Sequence, residues 1–238
     1  MSLLIDMFDS RFERRKNQNS NQVTKNHQTL SQTLGFDLSS LVTCQQVHQD
    51  TIALVDESYL KKDCFLPYNS IPETDALVTD VPGILLMTKY ADCVPLLFYD
   101  PKTHTVAIAH AGWKGTLSEI TIKTIHQMKK QFGCSSADIK AGIGPAIGKC
   151  CFSVNSEVAE KFTGKLKRSE YFVKQNNSSS YIDLKEANKI QMILAGLNEE
   201  NIETSDICTS CSSDVFFSHR REKGRTGRFA LLAGLHRF

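Results

Sequence analysis

Four short apolar runs between residues 75 and 110 constrain this chain more than anything else in it. They are Asp75-Ala76-Leu77-Val78-Thr79, Gly83-Ile84-Leu85-Leu86-Met87-Thr88, Pro95-Leu96-Leu97-Phe98-Tyr99-Asp100 and Thr105-Val106-Ala107-Ile108-Ala109-His110. Each is too short for a buried helix and stops at a turn-forming or polar break, so they read as strands. A Val-Pro-Gly turn separates the first two. Pro101-Lys102-Thr103-His104 separates the last two, which makes those two a hairpin.

The flanking sequence supplies helices and further strands. A helix is predicted from Asn21 to Leu34, closed by Gly35 and lying on the surface because its apolar content is thin. A short strand, Leu41 to Cys44, leads into the polar turn Gln45-Gln46-Val47-His48, and residues 56 to 74 read as an exposed excursion. Helical periodicity runs from 116 to 132 and stops at Gly133. A strand and glycine-rich loop cover 139 to 154, and helices follow at 156–163 and 183–197, the second capped by Asp183 with Glu186 three residues on. Residues 175 to 180 read as a polar loop, Val215-Phe216-Phe217 as strand-like, and Phe229 to Leu235 as a last apolar run. With no internal repeat and no linker, residues 1–238 form a single α+β domain, its mixed and antiparallel β-sheets packed against helices.

Composition narrows the function classes. Hydrophobic residues at 41% and charged residues at 23% are globular values, and a net charge of +2 gives no reason to expect a nucleic-acid partner. No run of eighteen apolar residues occurs, which removes a spanning helix and a membrane partner. The first residues lack a basic segment and a long apolar core, so no secretory signal is read there, and eight cysteines then point to a reducing, cytoplasmic setting with free thiols.

The hairpin carries a geometric statement. A two-residue turn at 102–103 or a four-residue loop at 101–104 sets residue 100 opposite 105 and residue 95 opposite 110, and Cys93 shares a face with 95; a three-residue loop would break this parity. Cys93 and His110 are then diagonal neighbours, roughly 7–8 Å apart at Cα and within reach of one ion. Thiolate and imidazole are ordinary zinc ligands, and a catalytic zinc keeps three protein ligands with a fourth position open. His48, after a strand and in a polar turn, is the natural third. The bland alternatives are a buried cysteine and a hydrogen-bonded histidine. His27, His104, His126 and His236 are expected to be solvated.

Several blocks together resemble the laccase-domain family, first described as multicopper polyphenol oxidases and read as zinc-dependent purine nucleoside phosphorylases. They are Gln46-Val47-His48, Thr74-Asp75-Ala76-Leu77-Val78-Thr79, Ala91-Asp92-Cys93-Val94-Pro95 and His110-Ala111-Gly112-Trp113-Lys114-Gly115. Further matches are Ile143 to Gly148 with Cys150-Cys151, Asp183-Leu184 with Ala187-Asn188, and Cys208 through Thr226-Gly227-Arg228. The likeness covers residues of about 40 to 235 in order. It implies that His48, Cys93 and His110 hold the metal, zinc rather than copper, and that the substrates are phosphate and purine nucleosides: adenosine, inosine, guanosine and methylthioadenosine. It also implies adenosine deamination. Gln49 stands where the family usually has Gly, Lys114 in place of Arg and His219 in place of Tyr, and the family's N-terminal segment, about 35 residues, is abbreviated.

Within that reading, Lys114 and free N–H groups at the start of the 116–132 helix form an anion site for phosphate, with Arg220 the next choice. Asp75 and Asp92 are the nearest general acid/base candidates, Asp92 alternatively orienting a ligand. Competing readings keep the same pocket: a thiol hydrolase with Cys93 as nucleophile and His110 as base, an editor of cell-wall precursors, a copper-dependent phenol oxidase, or a non-catalytic metal-binding protein. Seven scattered histidines supply multicopper chemistry poorly. The Gly142 to Gly148 segment has the wrong spacing for a dinucleotide loop. Cys150-Cys151 and the Cys208-Thr-Ser-Cys211 pair are expected to be buried structural thiols, and Trp113 to pack rather than stack on a base.

Overall fold

The computed structural model describes residues 3–8, 20–60, 69–176 and 179–237. In chain order it contains β1 (Leu3–Phe8), α1 (Ser20–Thr33), β2 (Leu41–Cys44), β3 (Ile52–Leu54), β4 (Asn69–Ile71), β5 (Ala76–Thr79), β6 (Leu85–Tyr90), β7 (Val94–Asp100) and β8 (Thr105–Ala111). The second half adds α2 (Trp113–Leu117), α3 (Ile120–Phe132), β9 (Lys140–Ile143), β10 (Ser153–Val154), α4 (Ser156–Lys165), β11 (Val173–Asn176), β12 (Ser179–Ile182), α5 (Leu184–Leu194), β13 (Ile202–Thr204) and β14 (Phe229–Leu235).

The strands form two large sheets, in the orders β1-β14-β6-β2-β4 and β13-β9-β7-β8-β5-β3, and a small one, β10-β12-β11. Parallel and antiparallel pairs occur in both large sheets, so the fold is mixed α+β. Consecutive strands β5 and β6 lie in different sheets, because the turn after Thr79 carries the chain from one layer to the other.

Alternation along the strands explains why the central runs are apolar throughout. Leu77, Val106 and Ile108 face Leu86, Leu231 and Ala233 of the opposite sheet. Their neighbours Ala76, Val78, Ala107 and Ala109 face Ile125 and Met128 of α3 and Ile190 of α5. With both faces covered, every residue of β8 is buried. Each large aliphatic side chain there contributes roughly 1.5–3 kcal/mol by leaving water. The far face of the other sheet meets α1 through Leu30, Leu34, Leu85, Met87 and Leu232.

Helix α1 is therefore no surface decoration: His27 and Ser31 are buried with its apolar stripe, contrary to the surface placement predicted from its thin apolar content. Leu3–Phe8, left unassigned in sequence, pairs along β14 as an edge strand. Of the segment 175–180, read as a polar loop, Gln175-Asn176 belongs to β11 and Ser179-Ser180 to β12, which pair antiparallel; 177–178 lie outside the described residues. Residues 215–217 are not a strand: they run through turns, and Arg221 binds the Phe216 carbonyl.

The helix predicted over 116–132 is two helices. The break falls at Glu119, in the left-handed region at φ 61°. Buried side chains of α5 pin the turn before the break: Gln191 Nε2 donates to the Thr116 carbonyl at 2.8 Å, and Asn188 Nδ2 to Thr116 Oγ1 at 3.0 Å. The ends read from sequence are present at Gly133, a left-handed cap at φ 70°, and at Asp183, whose side chain accepts from the Glu186 N–H at 3.1 Å. No described helix is long and apolar enough to cross a membrane.

Candidate functional site

The β7–β8 hairpin has the expected register: Asp100 pairs with Thr105 and Pro95 with His110. Asp100 fixes the four-residue turn by accepting from Lys102 N at 2.8 Å and Thr103 N at 3.3 Å. Cys93 precedes β7, His110 lies near the end of β8, and His48 sits in the loop after β2. One nitrogen from each histidine and the Cys93 sulfur all lie within 4.8 Å of one another. The two imidazoles meet edge to face at 4.8 Å between centroids.

One carboxylate organises this convergence. Asp75, at the mouth of β5 and fully buried, accepts from the backbone N–H groups of Val47 at 3.2 Å, His48 at 3.0 Å and Gln49 at 2.9 Å. Its Oδ1 also lies 2.8 Å from His110 Nδ1. The same acid thus folds the His48 loop, in which His48 itself is left-handed at φ 62°, and sets the His110 ring. Gln46 holds the loop from the other side, with its amide bonded to both the N–H and the carbonyl of Lys89. Gly112 completes the cradle: a Cβ there would lie 3.0 Å from Cys93 Sγ and 3.1 Å from His48 Cδ2.

The charges follow from these contacts. Burial works against ionising Cys93, but the His110 charge and hydrogen bonds from His110 and His48 outweigh it and bring the thiol down to about 6. Burial likewise opposes protonation of His110, yet the Cys93 and Asp75 charges raise it to about 9. Asp75 is held below its ordinary value: burial opposes this, but the His110 and Gln49 hydrogen bonds prevail. Cys44, which also lines the cavity, is pushed up to about 12 by burial and the Asp75 charge. Of these two thiols, only Cys93 is a ready thiolate.

A cavity of about 610 Å³ opens over the three convergent side chains, a size ordinary for a small-molecule site. Its walls include Trp113, Ile147, Phe152 and Leu184, with Lys89, Arg220, Arg228 and His219 as polar groups. Trp113 lines the cavity while packing against the core. Arg220 lies 5.3 Å over the Phe152 ring and donates to the carbonyls of Cys151 at 3.0 Å and Ser153 at 3.2 Å. Asp92 reaches the cavity, but its carboxylate accepts from Thr209 Oγ1 at 2.7 Å and the Arg220 N–H at 2.9 Å.

The structure places three groups of residues differently from the sequence reading. Asp75 stands behind the His48 loop, and the cavity wall over the three convergent side chains is formed without it. Lys114 is exposed, folds over Trp113 at 5.7 Å and does not line the cavity either. The helix that was to present N–H groups beside it starts at Trp113 and ends after five residues. Cys150 and Cys211 are exposed rather than buried, and the thiols of Cys150, Cys151, Cys208 and Cys211 gather within 4.8 Å of one another. Among the other histidines, His104 and His126 are exposed as expected, while His27 is buried and His236 packs on Phe36 at 4.6 Å.

Sequence reasoning missed Gln46, Gly112 and Thr209 as builders of the site. Each acts through a contact made across the fold, and only their place beside the ligand blocks hinted at it.

A family model described as multi-copper polyphenol oxidoreductase laccase matches residues 10–236. Purine nucleoside phosphorylase YlmD of Geobacillus stearothermophilus is 37% identical over 214 residues, covering 89% of this chain and 78% of that protein. Adenosine deaminase RL5, from an unknown prokaryotic organism, is 36% identical over 202 residues, covering 84% of this chain and 77% of that protein. The crystal structure of YlmD from Geobacillus stearothermophilus superposes with a TM-score of 0.89 at 32% identity, covering 98% of this chain and 91% of that one.

Proposed function

The chain belongs to the multi-copper polyphenol oxidoreductase laccase family, and on that premise we propose that it is a zinc-dependent enzyme of purine nucleosides, a phosphorylase that also deaminates adenosine. The observation that carries this reading is the convergence of His48, Cys93 and His110 at the base of a nucleoside-sized cavity.

The donor set fits zinc. Two imidazoles and one thiolate leave a fourth position open, and the Asp75–His110 bond is the carboxylate support that metal-ligating histidines commonly have. Multicopper oxidation needs further histidine ligands, and among the described residues the only other metal-type cluster is made of cysteines. When bound, zinc supplies Lewis-acid polarisation of an oxygen in the cavity.

The chain's own groups do the rest. Asp75 accepts a hydrogen bond from His110 Nδ1–H and so turns Nε2 toward Cys93 and His48. Phe152, Trp113 and Leu184 give the cavity apolar walls against which a purine ring can lie. Lys89, Arg220 and Arg228 line the cavity and are the cations that would hold phosphate against ribose C1′. In phosphorolysis a phosphate oxygen bonds to C1′ as the C1′–N9 bond breaks, and the purine leaves with that electron pair and a proton. In deamination water adds at C6 of adenine and ammonia leaves. Asp92, with both oxygens engaged, positions the Arg220 backbone and is assigned no proton transfer.

A second reading rests on one specific arrangement. Cys93, His110 and Asp75 are connected in the order of a Cys-His-Asp triad, which is the constellation of a thiol hydrolase. A nucleoside panel with and without phosphate separates the two. The nucleoside reading expects free base only with phosphate, deaminated adenosine without it, and loss of both on chelation. Chelator-resistant turnover, or no turnover of any nucleoside, would overturn it in favour of the thiol enzyme.

A further inference from the structure

The four thiols of Cys150, Cys151, Cys208 and Cys211 lie outside the site above and come from two loops distant in sequence. Cys151 Sγ is 3.4 Å and Cys150 Sγ 3.7 Å from Cys211 Sγ, and all four sulfurs fall within 4.8 Å of one another. Four sulfurs about 2.3 Å from one tetrahedral ion would be about 3.8 Å apart; the two distances from Cys211 Sγ are close to that, and no pair exceeds 4.8 Å.

The surrounding backbone is arranged as thiolate ligands require. The Gly148 N–H donates to Cys208 Sγ at 3.2 Å. The Cys208-Thr-Ser-Cys211 segment closes as a tight turn, with the Cys211 and Ser212 N–H groups bonded to the Cys208 carbonyl at 3.1 and 3.0 Å. Gly148 leaves room for the sulfurs, because a Cβ there would stand 3.2 Å from Cys150 Sγ and 3.4 Å from Cys208 Sγ. Arg221 sets its guanidinium on the carbonyls of Thr209 and Ser210, placing a positive charge beside a centre that would be doubly negative.

We propose that Cys150, Cys151, Cys208 and Cys211 form a second, structural zinc centre that fastens the 146–152 loop to the 208–212 turn. Both loops are tied to Asp92: the Ile147 N–H donates to its carbonyl at 3.0 Å and Thr209 Oγ1 to its carboxylate at 2.7 Å. The four-thiolate centre therefore braces the wall that carries Arg220 and Phe152, through Asp92, the residue before Cys93. It closes with no open position, so its role is to hold structure. On binding, the ion displaces the thiol protons to solvent.

The test is metal stoichiometry by mass spectrometry of the full chain, purified with reductant and without chelator. The Cys208→Ser/Cys211→Ser double variant should carry about one zinc fewer per chain than the wild type, and Cys93→Ala should lose a different one. Because the double variant could unfold, wild-type and Cys93→Ala proteins are also loaded with Co(II). Intense thiolate-to-cobalt absorption that survives Cys93→Ala is expected. Cys150 and Cys211, though exposed, should resist alkylation until the ion is removed. Unchanged metal content in a folded double variant, immediate alkylation of both exposed thiols in metal-loaded protein, or disulfides among the four would each overturn the proposal.

Discussion

Asp75 Oδ1 lies 2.8 Å from His110 Nδ1, and the same carboxylate accepts the His48 N–H, so one buried acid sets two of the three convergent side chains. Asp75→Asn keeps the shape and removes the charge. Support of this kind commonly governs 10–100-fold of metal affinity, and a loss of about that size is expected, with little change in the far-ultraviolet spectrum. Zinc titration against a competing chelator measures it. The pH dependence has a definite sign. Since the Asp75 carboxyl is held below its ordinary value, its contribution is complete above about pH 4 and is lost as pH falls through the lowered value. Acid titration of the Asp75→Asn protein should lack that step. Equal acid profiles would show that Asp75 contributes nothing through its charge.

Gly112 offers a test of the cradle that leaves the fold alone. Its φ of −68° and ψ of 171° are open to any residue, so alanine meets no backbone strain. The added methyl would instead press on Cys93 Sγ and His48 Cδ2. Gly112→Ala is expected to keep its thermal midpoint within a few degrees while losing zinc and nucleoside turnover by about tenfold or more. Full zinc binding in this variant would mean the convergence relaxes easily, and that the close fit is not what selects glycine.

Much of this was legible in the sequence because it depends on local rules. The β7–β8 register follows from period-two alternation and a four-residue turn, and the α5 start follows from Asp183 capping Glu186. What escaped depends on distant partners. The α2–α3 break is stabilised by Asn188 and Gln191 from α5, so a window over 113–132 sees only continuous periodicity. The four-cysteine cluster joins positions about sixty apart, and Cys150-Cys151 alone resembles no ligand pair. Asp75 showed its block but not its direction: it faces back to the His48 loop, away from the cavity.

Zinc entry should release a countable proton. In the metal-free site Cys93 is lowered to about 6 and His110 raised to about 9, so between those values the pair is thiolate and imidazolium. A zinc ion must displace the His110 Nε2 proton. Calorimetry at pH 8 in buffers of differing ionisation enthalpy should count about one proton from this pair, the number falling toward zero as pH rises past about 9. Subtracting a Cys93→Ala titration isolates the pair from the cysteine cluster. No release at pH 8 would mean that the imidazole is already neutral and the ion pair is not formed.

Phosphate binding separates Arg220 from Lys114. Arg220 lines the cavity, and its backbone N–H is held by Asp92, which adjoins Cys93; Lys114 is exposed and lies over the Trp113 ring. Lys114→Ala should therefore change the KM for phosphate by less than about twofold, the scale of a screened surface charge. Arg220→Ala removes a cation from the cavity wall, and it should raise that KM by about tenfold or more, as loss of a charge-assisted hydrogen bond does. Deamination of adenosine, which uses no phosphate, is the internal control. It should persist in Arg220→Ala if the residue acts on phosphate. If it falls as far as phosphorolysis, the loss comes instead from the Cys151 and Ser153 carbonyls that Arg220 also holds. Arg220→Lys distinguishes these roles further: it keeps the charge but loses the guanidinium plane that lies over the Phe152 ring, so recovery of phosphate KM assigns the residue to the anion through its charge. A large effect of Lys114→Ala on phosphate alone would return the anion site to the short helix α2.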